Sequence, residues 1–156
     1  VESRHKEIDG IGLLNIETTF DKTKTTSQVE ATLVRNSEFG VQSLGNTKLR
    51  GYEIHMGVSK GDIGLFRINR SSGLNGSDYM VDGSMNGNCW GTYIHGIFDN
   101  DTFRREIIDQ ARKAKGLDTL NSTTSYPGIK DRAIDSLASI VRENIDMDFI
   151  KRIIGL

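Results

Sequence analysis

Cysteine, proline and tryptophan each occur once in 156 residues, histidine three times, and no long apolar run is present. The single cysteine, Cys89, cannot close an internal disulfide and leaves no CxxC-type metal site, which suits a reducing compartment. No stretch approaches the ~18 apolar residues of a membrane span, and the opening VESRHKEIDG lacks a signal-peptide core, so a cytoplasmic location is expected. Twenty basic residues against 21 acidic ones give a net charge of -1, without the basic footprint that nucleic acid or an anionic membrane requires. A hydrophobic content of 36% excludes disorder as the main state, and the length suits one compact unit. The three Asn-x-Ser/Thr sequons, at Asn69, Asn75 and Asn121, are then chance occurrences.

What is there falls into two periods. GIGLLNIETTF (10–20) reads as a loop entering a strand, and residues 27–34 alternate as a second one. The clearest alternation is RGYEIHMGV, where Tyr52, Ile54, Met56 and Val58 share a face taken as the buried one, while Glu53 and His55 share the other. GLFRIN (64–69), DYMV (78–81) and CWGTYIHGIF (89–98) complete a set of short strands separated by Gly, Asn and Ser clusters. Beyond Asn100 the period becomes helical: Phe103, Ile107 and Ala111 recur every four residues, Asp99 to Asp101 offer capping oxygens, and Gly116 supplies a stop. Residues 117–128, with Pro127, read as a connection. A second helix carries Ile134, Leu137, Val141 and Ile145, and a short third carries Phe149, Ile150, Ile153 and Ile154. The class is α/β or α+β, strand-rich over 8–100 and helical over 101–156.

His95 is the centre of chemical interest, because TYIHGIFDND turns from strand to helix, where ligand sites of open α/β sheets form. Asp99, Asn100 and Asp101 are simplest as turn and cap residues, and no metal is expected. If Cys89 and His95 lie on one extended strand they stand about 20 Å apart, too far for a nucleophile and base that need contact near ~3 Å. Cys89 is read as a buried small hydrophobe. Glu53 and His55 form a second constellation: an acid and imidazole relay, a site for a substrate amine or carboxylate, or a hydrogen-bonding pair at the surface or beside the site. Gly10 and Gly12 do not make a phosphate-binding fingerprint, and His5 is assigned nothing.

GIGLLNIETTF, the KTT at Lys24 to Thr26 followed by QVE (28–30), GYEIHMG (51–57) and GTYIHGIFDNDTFR (91–104) together resemble, in order and spacing, the later part of the glutamine amidotransferase domain of the cobyric acid synthase family. The resemblance is close over residues 1–116 and looser in the helical tail. It implies a flavodoxin-like α/β class I amidotransferase domain, incomplete at its N-terminus, in which a cysteine thiolate attacks the amide of glutamine. A histidine, falling on His95, exchanges protons with the thiol and the departing ammonia. Glu53, His55 and Tyr93 are candidate supporting or substrate-contacting residues, with Glu53 a candidate to orient His95 from a neighbouring strand.

In that family the nucleophile lies in a glycine-rich turn upstream of the ESR-like stretch at Glu2 to Arg4, so the essential cysteine is expected outside this chain, and the chain alone is expected to be inactive. Ile97 occupies the place where many class I members carry a glutamate, so a Cys and His dyad is implied rather than a triad. Ammonia would pass to a synthetase domain, holding ATP and Mg, that amidates carboxylates of adenosylcobyrinic acid a,c-diamide; no cofactor is expected in this chain. Exposed sheet edges would favour self-association. Two other readings compete: a non-catalytic binding or docking module of the same fold, and an independent cysteine hydrolase using Cys89.

Overall fold

The computed structural model describes residues 6–34, 44–45, 47–70, 80–120 and 122–156. His5 and the stretch at Glu2 to Arg4 lie outside them, as do the first two residues of the expected DYMV strand. The chain divides into two compact units, Val1–Thr123 and Thr124–Leu156.

In the first unit the strands are β1 (Ile16–Leu33), β2 (Lys48–Gly61), β3 (Phe66–Arg70), β4 (Met80–Asp82), β5 (Ser84–Asn86), β6 (Cys89–Gly91) and β7 (Ile94–His95). Five of them form one sheet in the order β4-β3-β1-β2-β7, while β5 and β6, among the described residues, pair only with each other. Every described pairing is antiparallel. A flavodoxin-like domain is organised around a parallel sheet; the described residues show a mixed sheet-and-helix architecture without one.

Three expectations about the strands are corrected. The two strands expected on either side of DKTKTT are a single strand, β1. Its apolar alternation lapses there, and a register irregularity between Phe20 and Thr25 absorbs the lapse without breaking the pairing to β2. On β2 the period of two is right but the faces are reversed. Tyr52, Ile54 and Val58 are exposed, while Leu49, Glu53 and Gly57 point inward. The inner face is decided by what packs there: Val29, Ala31 and Leu33 of β1, Ile68 of β3 and Ile94 of β7 are all buried with Leu49. Side-chain polarity on β2 alone could not reveal which face those neighbours would cover.

The third correction concerns residues 89–98, which do not form one strand. The chain leaves β6, turns at Thr92 and Tyr93, pairs briefly as β7, and enters a 3-10 turn at Ile97–Asp99. The bend is held by Asp82, 7% exposed, whose Oδ2 accepts from the Thr92 hydroxyl and from the Tyr93 N–H (3.1 Å). Thr92 Oγ1 in turn accepts from the Ile94 N–H (3.1 Å). A buried carboxylate satisfied by hydrogen bonds is stable where an unpaired one would not be.

Helix α1 (Asp101–Ala114) docks on the sheet through Phe103, which is fully buried among Phe66, Trp90 and Phe98 at ring-centroid distances of 6.3, 6.1 and 5.8 Å. Burial of such a side chain contributes roughly 1.5–3 kcal/mol. The helix ends at Lys115, and Gly116 follows with φ 67.

The second unit contains α2 (Tyr126–Asn144) and α3 (Met147–Ile154). Pro127 sits in the first turn of α2 rather than in the connection, where its missing N–H costs nothing. Ser125 accepts from the Gly128 N–H and Asp146 from the Phe149 N–H, capping the two helices. Ile134, Leu137 and Val141 keep the expected helical spacing and are exposed, whereas Ile145 lies just past the helix end. No helix among the described residues is long and apolar enough to cross a membrane.

Candidate functional site

Pairing of β2 with β7 brings the stretches GYEIHMG and GTYIHGIFDNDTFR side by side. Tyr52 stands opposite His95, and Glu53 opposite Ile94. Alternation then puts Tyr52 and His95 on the outer face of the sheet and Glu53 and Ile94 toward the core.

Three residues keep the two-residue strand β7 in place. A Cβ on Gly51 would stand 2.4 Å from Ile94 Cγ2 and 2.6 Å from the His95 carbonyl oxygen, so only glycine permits this approach. Asn100 completes the ladder after the chain has left the sheet: its Oδ1 accepts from the Arg50 N–H and its Nδ2 donates to the Arg50 carbonyl, both at 2.8 Å. The Asn100 amide also donates to the Ile97 carbonyl (2.9 Å). Asn100 is the N-cap residue of α1, yet its side chain makes no cap bond, so the capping expectation holds for its position only. Asp82 fixes the turn before β7, as described above.

A Gly51→Ala substitution should therefore push β7 off β2. Overpacking of this kind costs about 1–3 kcal/mol, visible as a lower urea midpoint, with chemical-shift changes concentrated at residues 93–97. Unchanged stability and unshifted resonances there would show that the close approach is dispensable.

His95 is exposed, and its ring stacks on Tyr52 with centroids 5.1 Å apart and planes 12° apart. No hydrogen bond reaches either ring nitrogen from the described residues. Gly96 follows in the left-handed region (φ 71) and turns the chain away, with the Asp99 N–H closing on the Gly96 carbonyl at 2.9 Å. The position above Gly96 is flanked by Asp99 Oδ2 (3.6 Å) and Tyr52 Cε1 (3.7 Å). Ile97 is 4% exposed and belongs to the core, which makes it an anchor for the turn. An exposed imidazole with no hydrogen bond from the described residues leaves its nitrogens available to an approaching group.

Glu53, His55 and Tyr93 form a second, separate cluster on the inner face. Glu53 is 2% exposed, so the pair with His55 is buried rather than superficial. Its carboxylate accepts from Arg70 Nε (2.6 Å) and Arg70 Nη2 (3.2 Å), and His55 Nε2 lies 3.2 Å from Oε1. The other ring nitrogen of His55 donates to the Gly57 carbonyl (2.8 Å), and both contacts are made together when the ring carries a proton on each nitrogen. Tyr93 stacks on His55 (4.1 Å, 16°), and its hydroxyl lies 3.2 Å from Ser59 Oγ. Gly57 makes room for it, because a Cβ there would stand 2.5 Å from the Tyr93 hydroxyl. Glu53 is thus turned away from His95 and fully engaged by Arg70 and His55, contrary to the idea that it reaches across to His95.

Cys89 is a free, partly buried thiol on β6, whose strand partner among the described residues is β5. It shares no strand with His95, so the separation expected along a single strand does not apply. A shallow pocket lined by Gln28, Val29, Glu30, Arg50 and Gly51 includes neither residue. No group of three or more His, Cys, Asp or Glu suited to a metal occurs among the described residues. Neither Arg70 nor Asp82 is singled out by the sequence, and Asn100 is read there only as a turn and cap residue. Asp82 and Asn100 sit in Asp/Asn/Gly stretches that read as ordinary turns, and Arg70 merely ends a strand.

The model of the CobB/CobQ-like glutamine amidotransferase domain matches residues 1–103. The chain is 43% identical over 156 residues to a cobyric acid synthase of Thermodesulfovibrio yellowstonii, covering all of this chain and 29% of that protein. It is 42% identical over 161 residues to a cobyric acid synthase of Clostridium tetani, covering all of this chain and 30% of the relative. A third, from Thermoanaerobacter sp. X514, is 43% identical over 152 residues, which is 94% of this chain and 30% of that one. The chain therefore spans less than a third of the length of these relatives and matches their C-terminal part.

Proposed function

The chain belongs to the CobB/CobQ-like glutamine amidotransferase family, and on that premise we propose that it supplies the histidine of a glutamine-hydrolysing site, with the nucleophilic cysteine contributed by sequence outside these 156 residues. The observation that carries this is the His95 ring: exposed, stacked on Tyr52, and without a hydrogen bond from the described residues. A histidine kept for structure has its ring nitrogens occupied, as His55 does.

In the proposed reaction a thiol gives its proton to His95 and the thiolate attacks the amide carbon of glutamine. The imidazolium returns the proton to the nitrogen, ammonia leaves, and water hydrolyses the thioester to glutamate. The antiparallel sheet would adjoin the parallel core of a flavodoxin-like class I domain. Ammonia would pass to a synthetase domain that holds ATP and magnesium and amidates a corrinoid carboxylate in cobalamin biosynthesis, in the cytoplasm.

Incubated with glutamine, the chain alone should release no ammonia, because its one thiol lies on β6, which pairs with β5 and not with β7. Joined to the part of the Thermodesulfovibrio yellowstonii protein that its match leaves uncovered, it should release ammonia stoichiometrically with glutamate. Release by the chain alone, abolished by alkylating Cys89, would replace this reading with that of a cysteine hydrolase. A folded but inactive joined protein would overturn it.

A further inference from the structure

Tyr52 is the one aromatic ring on the outer face of β2 that touches the proposed proton-transfer group, and nothing in the reaction outlined above uses it. We infer that Tyr52 is the positioning residue for His95, an inference that rests on the reading of His95 as that group.

The need for such a residue follows from the local geometry. β7 contributes only two paired residues, and Gly96 directly after His95 turns the chain away, so the backbone alone leaves the imidazole free to rotate about its side-chain bonds. A histidine base is ordinarily oriented by a group hydrogen-bonded to its far nitrogen. Here no described residue makes that bond, and the second residue along, Ile97, is committed to the core. Tyr52 substitutes a face for a hydrogen bond. It stands directly opposite His95 in the register, its ring 5.1 Å away and within 12° of parallel. A parallel stack fixes the plane of the imidazole and uses neither nitrogen, so the one that takes the thiol proton and returns it to the leaving nitrogen stays open. Because only the ring face is used, the Tyr52 hydroxyl is dispensable for this purpose.

Two measurements test this. In the chain itself, NMR should show the His95 ring protons shifted upfield by the Tyr52 ring current, in the parent and in Tyr52→Phe, with the shift lost in Tyr52→Leu. In the joined protein, Tyr52→Leu should lower kcat for glutamine hydrolysis by roughly 10- to 100-fold with KM unchanged, and Tyr52→Phe should restore it. Persistence of the upfield shift in Tyr52→Leu, or a Tyr52→Leu protein with parental kcat, overturns the positioning role. In the second case the reading of His95 survives if His95→Ala is inactive. Full activity of His95→Ala would instead overturn that reading and the inference with it.

Discussion

In the joined protein, replacing His95 by alanine is expected to lower kcat for glutamine hydrolysis by about 10²–10⁴-fold while leaving the unfolding transition of the chain almost unmoved. The two halves of that expectation come from the same facts. The His95 side chain is exposed and, among the described residues, makes one stacking contact, so its removal deletes little packing and leaves no buried polar group unsatisfied. The reaction, by contrast, loses the group that takes the thiol proton and returns it to nitrogen. The amide nitrogen leaves poorly until it is protonated, so acylation should fall more than substrate binding, and KM should change little. Cys89→Ala serves as the internal control and should retain activity, because Cys89 lies on the β5–β6 hairpin and not on the strand that carries His95. Ammonia release is followed by a coupled assay and stability by urea unfolding read through Trp90. A His95→Ala protein that hydrolyses glutamine at the parental rate would show that the exposed ring is incidental.

The sequence disclosed His95 and the strand-to-helix turn around it because both depend on local order: a glycine after the histidine, then a run of Asp and Asn before an amphipathic helix. It disclosed the period of β2 for the same reason. It could not disclose which face of β2 is buried, since that depends on β1, β3 and β7 arriving from elsewhere in the chain. An inward-facing glutamate is unreadable without the arginine that engages it. Glu53 and Arg70 are 17 positions apart and sit on strands separated by β1, and no local pattern links them. The break between β6 and β7 was hidden in the same way, for the carboxylate that bends the chain at Thr92 belongs to Asp82 on another strand. Two glycines that punctuate a familiar-looking motif, Gly51 and Gly57, turn out to be spaces into which Ile94 and Tyr93 fit.

The Glu53 cluster carries the largest stability effect expected for a single side chain. Arg70→Met should destabilise the fold by about 3–5 kcal/mol, more than Glu53→Met, and the double variant should be more stable than Arg70→Met alone. The order follows from access to water. Glu53 is 2% exposed and the Arg70 side chain 24%. When Arg70 is removed, the carboxylate cannot move to solvent and, among the described residues, retains His55, at 3.2 Å, as its side-chain partner. When Glu53 is removed, the guanidinium can reach outward, and His55 keeps its bond to the Gly57 carbonyl. Removing both leaves two apolar side chains of similar volume beside Val29 and Ile68, an exchange that is often neutral for a buried ion pair. A double-mutant cycle from urea denaturation, again read through Trp90, gives the coupling directly. Additive losses, with the double variant the least stable of the three, would mean that the pair is held by the sheet and contributes nothing to holding it. None of these changes touches the outer face, so the His95 ring-proton shifts should be the same in all four proteins. Any change in them would show that the inner cluster governs how β7 lies against β2.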